Sequence, residues 1–168
     1  MNLGKIGQFN RIVIKVGSAL LLNKNEVFNR SWLDNLSNEI EQLYNRNTEI
    51  LIVSSGAVAI GSTYLRKKRS QMNLNEMQAA AAMGQAQLVM EWQDSFKSSG
   101  INTAQILLTR SDTENKKRFL NSKDTLLTLI KYNVIPIINE NDTVATEELK
   151  YGDNDRLAAR VAQMTSAD

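Results

Sequence analysis

Residues 134–155 read VIPIINENDTVATEELKYGDND. The run from Val134 to Ile138 is apolar and rich in β-branched residues, which is the signature of a buried strand. It is expected to stop at the polar cluster Asn139-Glu140-Asn141-Asp142. A short excursion then returns to a second cluster, Gly152-Asp153-Asn154-Asp155, and residues 156–163 follow with helical spacing. An open α/β sheet builds its polar ligand site in this way, from groups just beyond the carboxyl ends of parallel strands.

The stretches upstream repeat the pattern. Residues 11–16, RIVIKV, form a β-branched run ended by Gly17-Ser18, and residues 49–53 form a second, ended by Ser54-Ser55-Gly56. Residues 103–108 form a third, ended by Thr109-Arg110-Ser111-Asp112. Between them, Trp32, Leu33, Leu36, Ile40, Leu43 and Tyr44 keep helical spacing after the cap candidates Asn29-Arg30-Ser31. A short helix is expected over 57–65, a long one over 74–96 and another over 118–132, the last burying Phe119, Leu126, Leu127 and Ile130. In the long helix, Ala79-Ala80-Ala81-Ala82 with Gly84 and Ala86 permits very close packing. Strands alternating with helices predict parallel βαβ units and an α/β fold, with helices on both faces of the sheet. Pro136 counts somewhat against a central place for the fourth strand, because proline cannot donate to the ladder. Parallel strands in one sheet would bring all four small or polar ends to one rim.

The chain has 168 residues, 42% hydrophobic and 23% charged, with a net charge of +2. That size fits one domain spanning 1–168, which would bury roughly 70% of its unfolded surface. The near-neutral charge makes no overall case for nucleic acid. There is no cysteine and no histidine. Disulfides, thiolate catalysis, the Ser-His triad and the usual zinc sites are therefore excluded. Chemistry must rest on carboxylates, lysines, hydroxyls, amides and backbone N–H groups. No apolar run approaches the ~20 residues of a membrane span. The opening MNLGKIGQFN lacks the apolar core of a secretory signal, so the expectation is a cytoplasmic protein with no membrane partner.

Three places carry chemistry, each with an ordinary alternative. Lys15 ends a strand beside Gly17-Ser18, where glycine lets backbone N–H groups approach an anion and lysine adds a point charge. The spacing is not that of a P-loop, and a plain strand-edge lysine before a turn is the alternative. Ser55-Gly56-Ala57 enters a helix whose first N–H groups could receive a carboxylate or phosphate; the alternative is a serine N-cap. Asp142, Asp153, Asn154 and Asp155 suit an ammonium group, a lysine or a magnesium ion, or simply favour turns. Their recurrence on both sides of one excursion favours a site. The basic runs Arg66-Lys67-Lys68-Arg69 and Lys116-Lys117-Arg118 lack interleaved aromatics and read as solvated faces.

Taken together, VIKVGSALL, LIVSSGAVAIG, AAMGQAQL, ILLTRSDTENKKRFLNSKDTL and above all VIPIINENDTVA followed by YGDND resemble the amino acid kinase family. The last pairing is characteristic of the branch that phosphorylates glutamate at the start of proline biosynthesis. The resemblance implies a three-layer α/β/α sandwich with a mostly parallel sheet. It implies transfer of the ATP γ-phosphoryl group to the side-chain carboxylate of L-glutamate, with Mg2+. Carried over by position, Lys15 is the phosphate-binding and catalytic lysine, with Gly17 and Ser18 in the turn facing the phosphates. Asp155 orients the catalytic lysines. Ser55, Asp142 and Asn154 bind glutamate, and no residue is assigned to the metal. In this family the sheet continues past the point matching Asp168, with a second lysine and much of the adenine pocket. The expectation is thus the amino-terminal portion of such a kinase, with the ATP half of the site largely elsewhere. It would act as a homo-oligomer or with a complementing chain, with feedback binding of proline implied as well. A non-catalytic or partner-dependent amino acid-binding remnant on the same fold is the second expectation.

Overall fold

The computed structural model describes residues 9–23, 27–144 and 154–168. Gly152 and Asp153 of the second polar cluster lie outside the described residues. Strands β1 (Arg11–Val16), β2 (Glu49–Ser54), β3 (Asn102–Leu108) and β4 (Val134–Glu140) form one sheet in the order β1-β2-β4-β3, every pairing parallel. The helices are α1 (Ser18–Leu21), α2 (Arg30–Tyr44), α3 (Ala57–Leu65), α4 (Leu74–Phe96), α5 (Arg110–Glu114), α6 (Lys116–Lys131) and α7 (Asn154–Thr165).

The period of two along each strand divides the protein into layers. Ile50 and Ile52 of β2, with Ile135 and Ile137 of β4, meet Leu33, Ile40, Ile60, Leu88, Trp92 and Phe96 from α2, α3 and α4. Their neighbours Leu51, Val53 and Ile138 meet Leu126 and Ile130 of α6 and Leu157, Val161 and Met164 of α7 on the other face. The expected three-layer α/β/α sandwich is therefore what the chain forms. β2 and β4 are buried along almost their whole length, as the inner strands of a parallel sheet must be.

Two expectations about β4 need correction. The strand does not stop before the polar cluster. It continues through Asn139 and Glu140, which pair with Leu107 and Leu108 of β3. It is also not peripheral, because it lies between β2 and β3 despite Pro136. The β3–β4 ladder runs straight through Ala104↔Pro136, whereas the β2–β4 ladder begins only at Ile52↔Ile137 and lasts two residues. The donor that proline lacks thus falls on the β2 side. There the amino ends of β2 and β4 border a cavity of about 450 Å³.

The helix starts follow local chemistry. Asn29 caps α2 by accepting from the Trp32 N–H. Asn73 and Glu76 form a reciprocal box at the start of α4, and Lys67 holds Glu76 from outside at 2.7 Å. The end of β3 does not stay a loop. The Thr109 backbone N–H and hydroxyl donate to Asp112 Oδ2 at 2.7 and 2.6 Å, and α5 starts there. Burial alone would push the Asp112 carboxyl up. The two Thr109 donors and the Arg118 guanidinium outweigh it and hold the carboxyl below its ordinary value. A depressed carboxyl stabilises the fold above its unfolded value of ~3.9, and that contribution is lost as pH falls through the lower folded value. Asp112→Ala is expected to cost about 1 kcal/mol at pH 7. Urea midpoints of wild type and variant should start to converge below about pH 4, where the unfolded chain's carboxyl takes up a proton, and should meet once pH falls below the folded value. A gap that persists unchanged into acid would show that the carboxylate does not provide it.

Candidate active site

Three strand ends meet over one cavity of about 330 Å³, within the range of small-molecule sites. Lys15, Gly17 and Ser18 come from the end of β1, Ser55 to Ala59 from the end of β2, and Asn139, Glu140 and Asp142 from the end of β4. Asn154, the first residue of α7, closes the wall. The fourth end does not take part: Thr109–Asp112 follows edge strand β3, outside this cavity, and caps α5 instead.

The turn after β2 depends on Gly56, whose φ of +123° and ψ of −10° suit glycine alone. It swings Ala57, Val58 and Ala59 onto the cavity wall as the first turn of α3. No side chain caps this helix, so the serine N-cap expected as the alternative reading is absent. Ser55 is engaged differently. Its backbone N–H donates to Val16 O at 2.9 Å, and its Oγ accepts from Asn154 Nδ2 at 2.6 Å. The same Asn154 Nδ2 donates to Asn139 Oδ1 at 2.9 Å, and Asn139 Nδ2 donates to Gln85 Oε1 at 2.9 Å. With both Asn154 donors used inside the protein, its Oδ1 is left as an acceptor at the cavity.

Opposite charge is matched across the site. Lys15 Nζ lies 2.8 Å from Asp155 Oδ1. Both side chains are partly open to solvent, so this pair is worth at most about 1 kcal/mol in stability, and its effect is to fix the position of the ammonium. A Cβ on Gly17 would come within 3.8 Å of Lys15 Nζ, so the missing side chain keeps the approach to the ammonium open. Glu140 and Asp142 supply carboxylates to the wall, and Arg69 a second cation. Among the described residues no group of three carboxylates, histidines or cysteines could cage a metal ion. That donor set fits magnesium, which keeps much of its water and is held through phosphates with one or two carboxylates.

The structure therefore gathers Lys15, Gly17, Ser18, Ser55, Asp142 and Asn154 around one cavity, with Asp155 bonded to Lys15. Two further residues escaped the sequence reading. Arg69 ends the basic run 66–69, and nothing in that run distinguishes it from its neighbours. Gln85 left a signal: it falls in register with Ala81, Leu88 and Trp92, all buried, and a polar residue in such a stripe demands a partner. Among the described residues, no helix is long and apolar enough to cross a membrane.

The amino acid kinase family model matches residues 10–168. Glutamate 5-kinase of Allorhizobium ampelinum is 50% identical over 166 residues, covering 99% of this chain and 42% of that protein. Glutamate 5-kinase of Bartonella henselae is 48% identical over 168 residues, covering 100% of this chain and 44% of that protein. The chain thus spans less than half the length of these curated relatives. Among solved structures, Giardia carbamate kinase superposes with a TM-score of 0.66 at 13% identity, over 94% of this chain and 71% of that one. UMP kinase from Ureaplasma parvum gives 0.59 at 18% identity, over 94% and 65%. These two likenesses concern the fold. With its parallel sheet, its convergent strand ends and a family match over nearly its full length, the chain belongs to the amino acid kinase family.

Proposed function

We propose that this chain carries the acceptor side of a kinase site that binds L-glutamate and presents its side-chain carboxylate to the γ-phosphoryl group of ATP. The reading rests chiefly on one observation: Ser55, Asp142, Asn154 and Lys15, separated by up to 139 positions in sequence, share one cavity. The glutamate 5-kinases at 48–50% identity support the choice of substrate.

The residues suit the chemistry. A glutamate side chain has a pKa near ~4.3, so at neutral pH the nucleophile is already ionised and needs no general base. A site without histidine loses nothing by it. Phosphoryl transfer asks for alignment and for neutralisation of charge on the moving group. Lys15, anchored by Asp155 and flanked by the open turn at Gly17-Ser18, supplies a fixed positive charge on the nucleotide side. Asp142 and Asn154 Oδ1 are acceptors suited to the substrate ammonium. The Ser55 hydroxyl, whose oxygen already accepts from Asn154, keeps its proton for a carboxylate, as do the first N–H groups of α3. Magnesium, when bound with the nucleotide, would neutralise phosphate charge, with Glu140 as the carboxylate on that wall.

The reaction forms an acyl phosphate, which hydroxylamine converts to a coloured hydroxamate. With the nucleotide-binding half of the site supplied, ATP- and glutamate-dependent hydroxamate is the expected result, and binding of glutamate without it would then remove the kinase reading. Asp142→Ala should weaken L-glutamate about ten- to a hundredfold, the loss of a charge-assisted bond of ~1.5–3 kcal/mol. The KM for ATP should stay within about twofold on the same reading. Equal effects on both substrates would place Asp142 elsewhere in the mechanism.

A further inference from the structure

We propose that Gln85 is a positioning residue for this cavity: through Asn139 it sets which end of the Asn154 amide, and which side of the Ser55 hydroxyl, is turned toward the ligand. Gln85 lies on α4, is 7% exposed and is not part of the cavity wall. Its Oε1 accepts from Asn139, itself 2% exposed, and Asn139 Oδ1 accepts in turn from Asn154. Asn154 then donates to Ser55. Each link has a direction, and with Gln85 Oε1 turned to Asn139 the directions of the later links follow.

Such a row of amides has two self-consistent polarities. In the one observed, Asn154 spends both N–H groups inside the protein, leaving Oδ1 as an acceptor and the Ser55 proton free to donate. Reversed from Gln85 onward, Asn139 would donate to Asn154 Oδ1 and Ser55 would donate to the same atom. The cavity would then meet an NH2 group and a bare hydroxyl oxygen. The first arrangement suits a ligand carrying both an ammonium and a carboxylate; the second does not. The Gln85 Nε2 is buried with no partner among the described residues. The bond to Asn139 is what the glutamine contributes.

The ligand arm of the test rests on the glutamate reading; the exchange arm does not. In the full wild-type chain labelled with 15N, both side-chain protons of Asn154 should exchange slowly with water, and fast exchange there would overturn the proposal at once. Gln85→Met keeps the length and removes the acceptor; exchange at Asn154 should rise about tenfold, the loss of roughly one hydrogen bond. Gln85→Glu can only accept when ionised, so it should hold exchange at the wild-type rate. Calorimetry with L-glutamate and with glutarate, which lacks the ammonium, supplies the functional readout. The preference for L-glutamate should fall about tenfold in Gln85→Met and be retained in Gln85→Glu. A loss of packing alone would lower the melting temperature and leave that ratio unchanged, and an unchanged ratio with unchanged exchange overturns the role. If wild type binds no glutamate, the substrate reading fails and the exchange results decide Gln85 by themselves. If Gln85→Met does not fold, wild type and Gln85→Glu still decide it through the slow exchange each must show.

Discussion

Gly84→Ala and Gly61→Ala are each expected to destabilise the chain by about 3 kcal/mol or more, at or beyond the top of the usual range for overpacking. A Cβ on Gly84 would lie 1.9 Å from the backbone oxygen of Ala57, and one on Gly61 would lie 1.8 Å from that of Ala80. Both obstacles are main-chain atoms within helices, so no rotamer change relieves the overlap. Either α3 and α4 move apart or a helix deforms. Against a total stability of about 5–15 kcal/mol for a domain, that is a large share. The consequence extends to the cavity, because Ala57, which Gly84 abuts, begins the helix whose first turn forms its wall. Urea unfolding followed by circular dichroism measures the effect directly. Gly17→Ala is the control: its φ of −81° suits alanine, its Cβ would touch nothing closer than 3.8 Å, and it should change stability by less than about 1 kcal/mol. A Gly84→Ala midpoint close to wild type would mean that the two helices are not held at glycine distance.

The expected packing of the long helix was readable because it depends on residue size, and a run of alanines with one glycine has few other uses. The strands were readable for a similar reason. β2 and β4 are buried on both sides, and their near-continuous aliphatic runs say so. The place of β4 in the sheet was not readable. A rule about proline in central strands met a ladder that starts one residue later, and neighbour order is a long-range property that Pro136 alone does not report. The site divides along the same line. Lys15, Ser55 and Asn154 follow or end strands or open a helix, where local pattern marks them. Gln85 reaches the site through Asn139, 54 positions away, and only the fold makes that pairing. The polar residues after β3 resemble the site residues in sequence because all strand ends look equivalent there. In space β3 is the edge strand, and Thr109 and Asp112 satisfy each other there.

Lys15→Met should lower the rate of hydroxamate formation by about 10²–10³ while leaving L-glutamate binding within about twofold, the signature of a charge that acts on the moving phosphoryl group. The argument is positional. Lys15 Nζ is held 2.8 Å from Asp155 Oδ1 beside the glycine turn of β1, whereas the amide and hydroxyl groups suited to an amino acid lie around Ser55, Asn139 and Asn154. The ion pair is partly solvated, so removing it should cost little stability and the variant should fold. Asp155→Asn separates position from charge. It keeps the lysine but releases its anchor, and should lower turnover by about tenfold, less than loss of the lysine itself. Lys15→Arg should not restore the rate, because a planar fork cannot take the place of a compact ammonium in a gap bounded by Gly17. If Lys15→Met instead weakened L-glutamate tenfold or more and left turnover of the bound substrate intact, the ammonium would be a ligand for the substrate carboxylate. The nucleotide side of the cavity would then have to lie elsewhere on the rim.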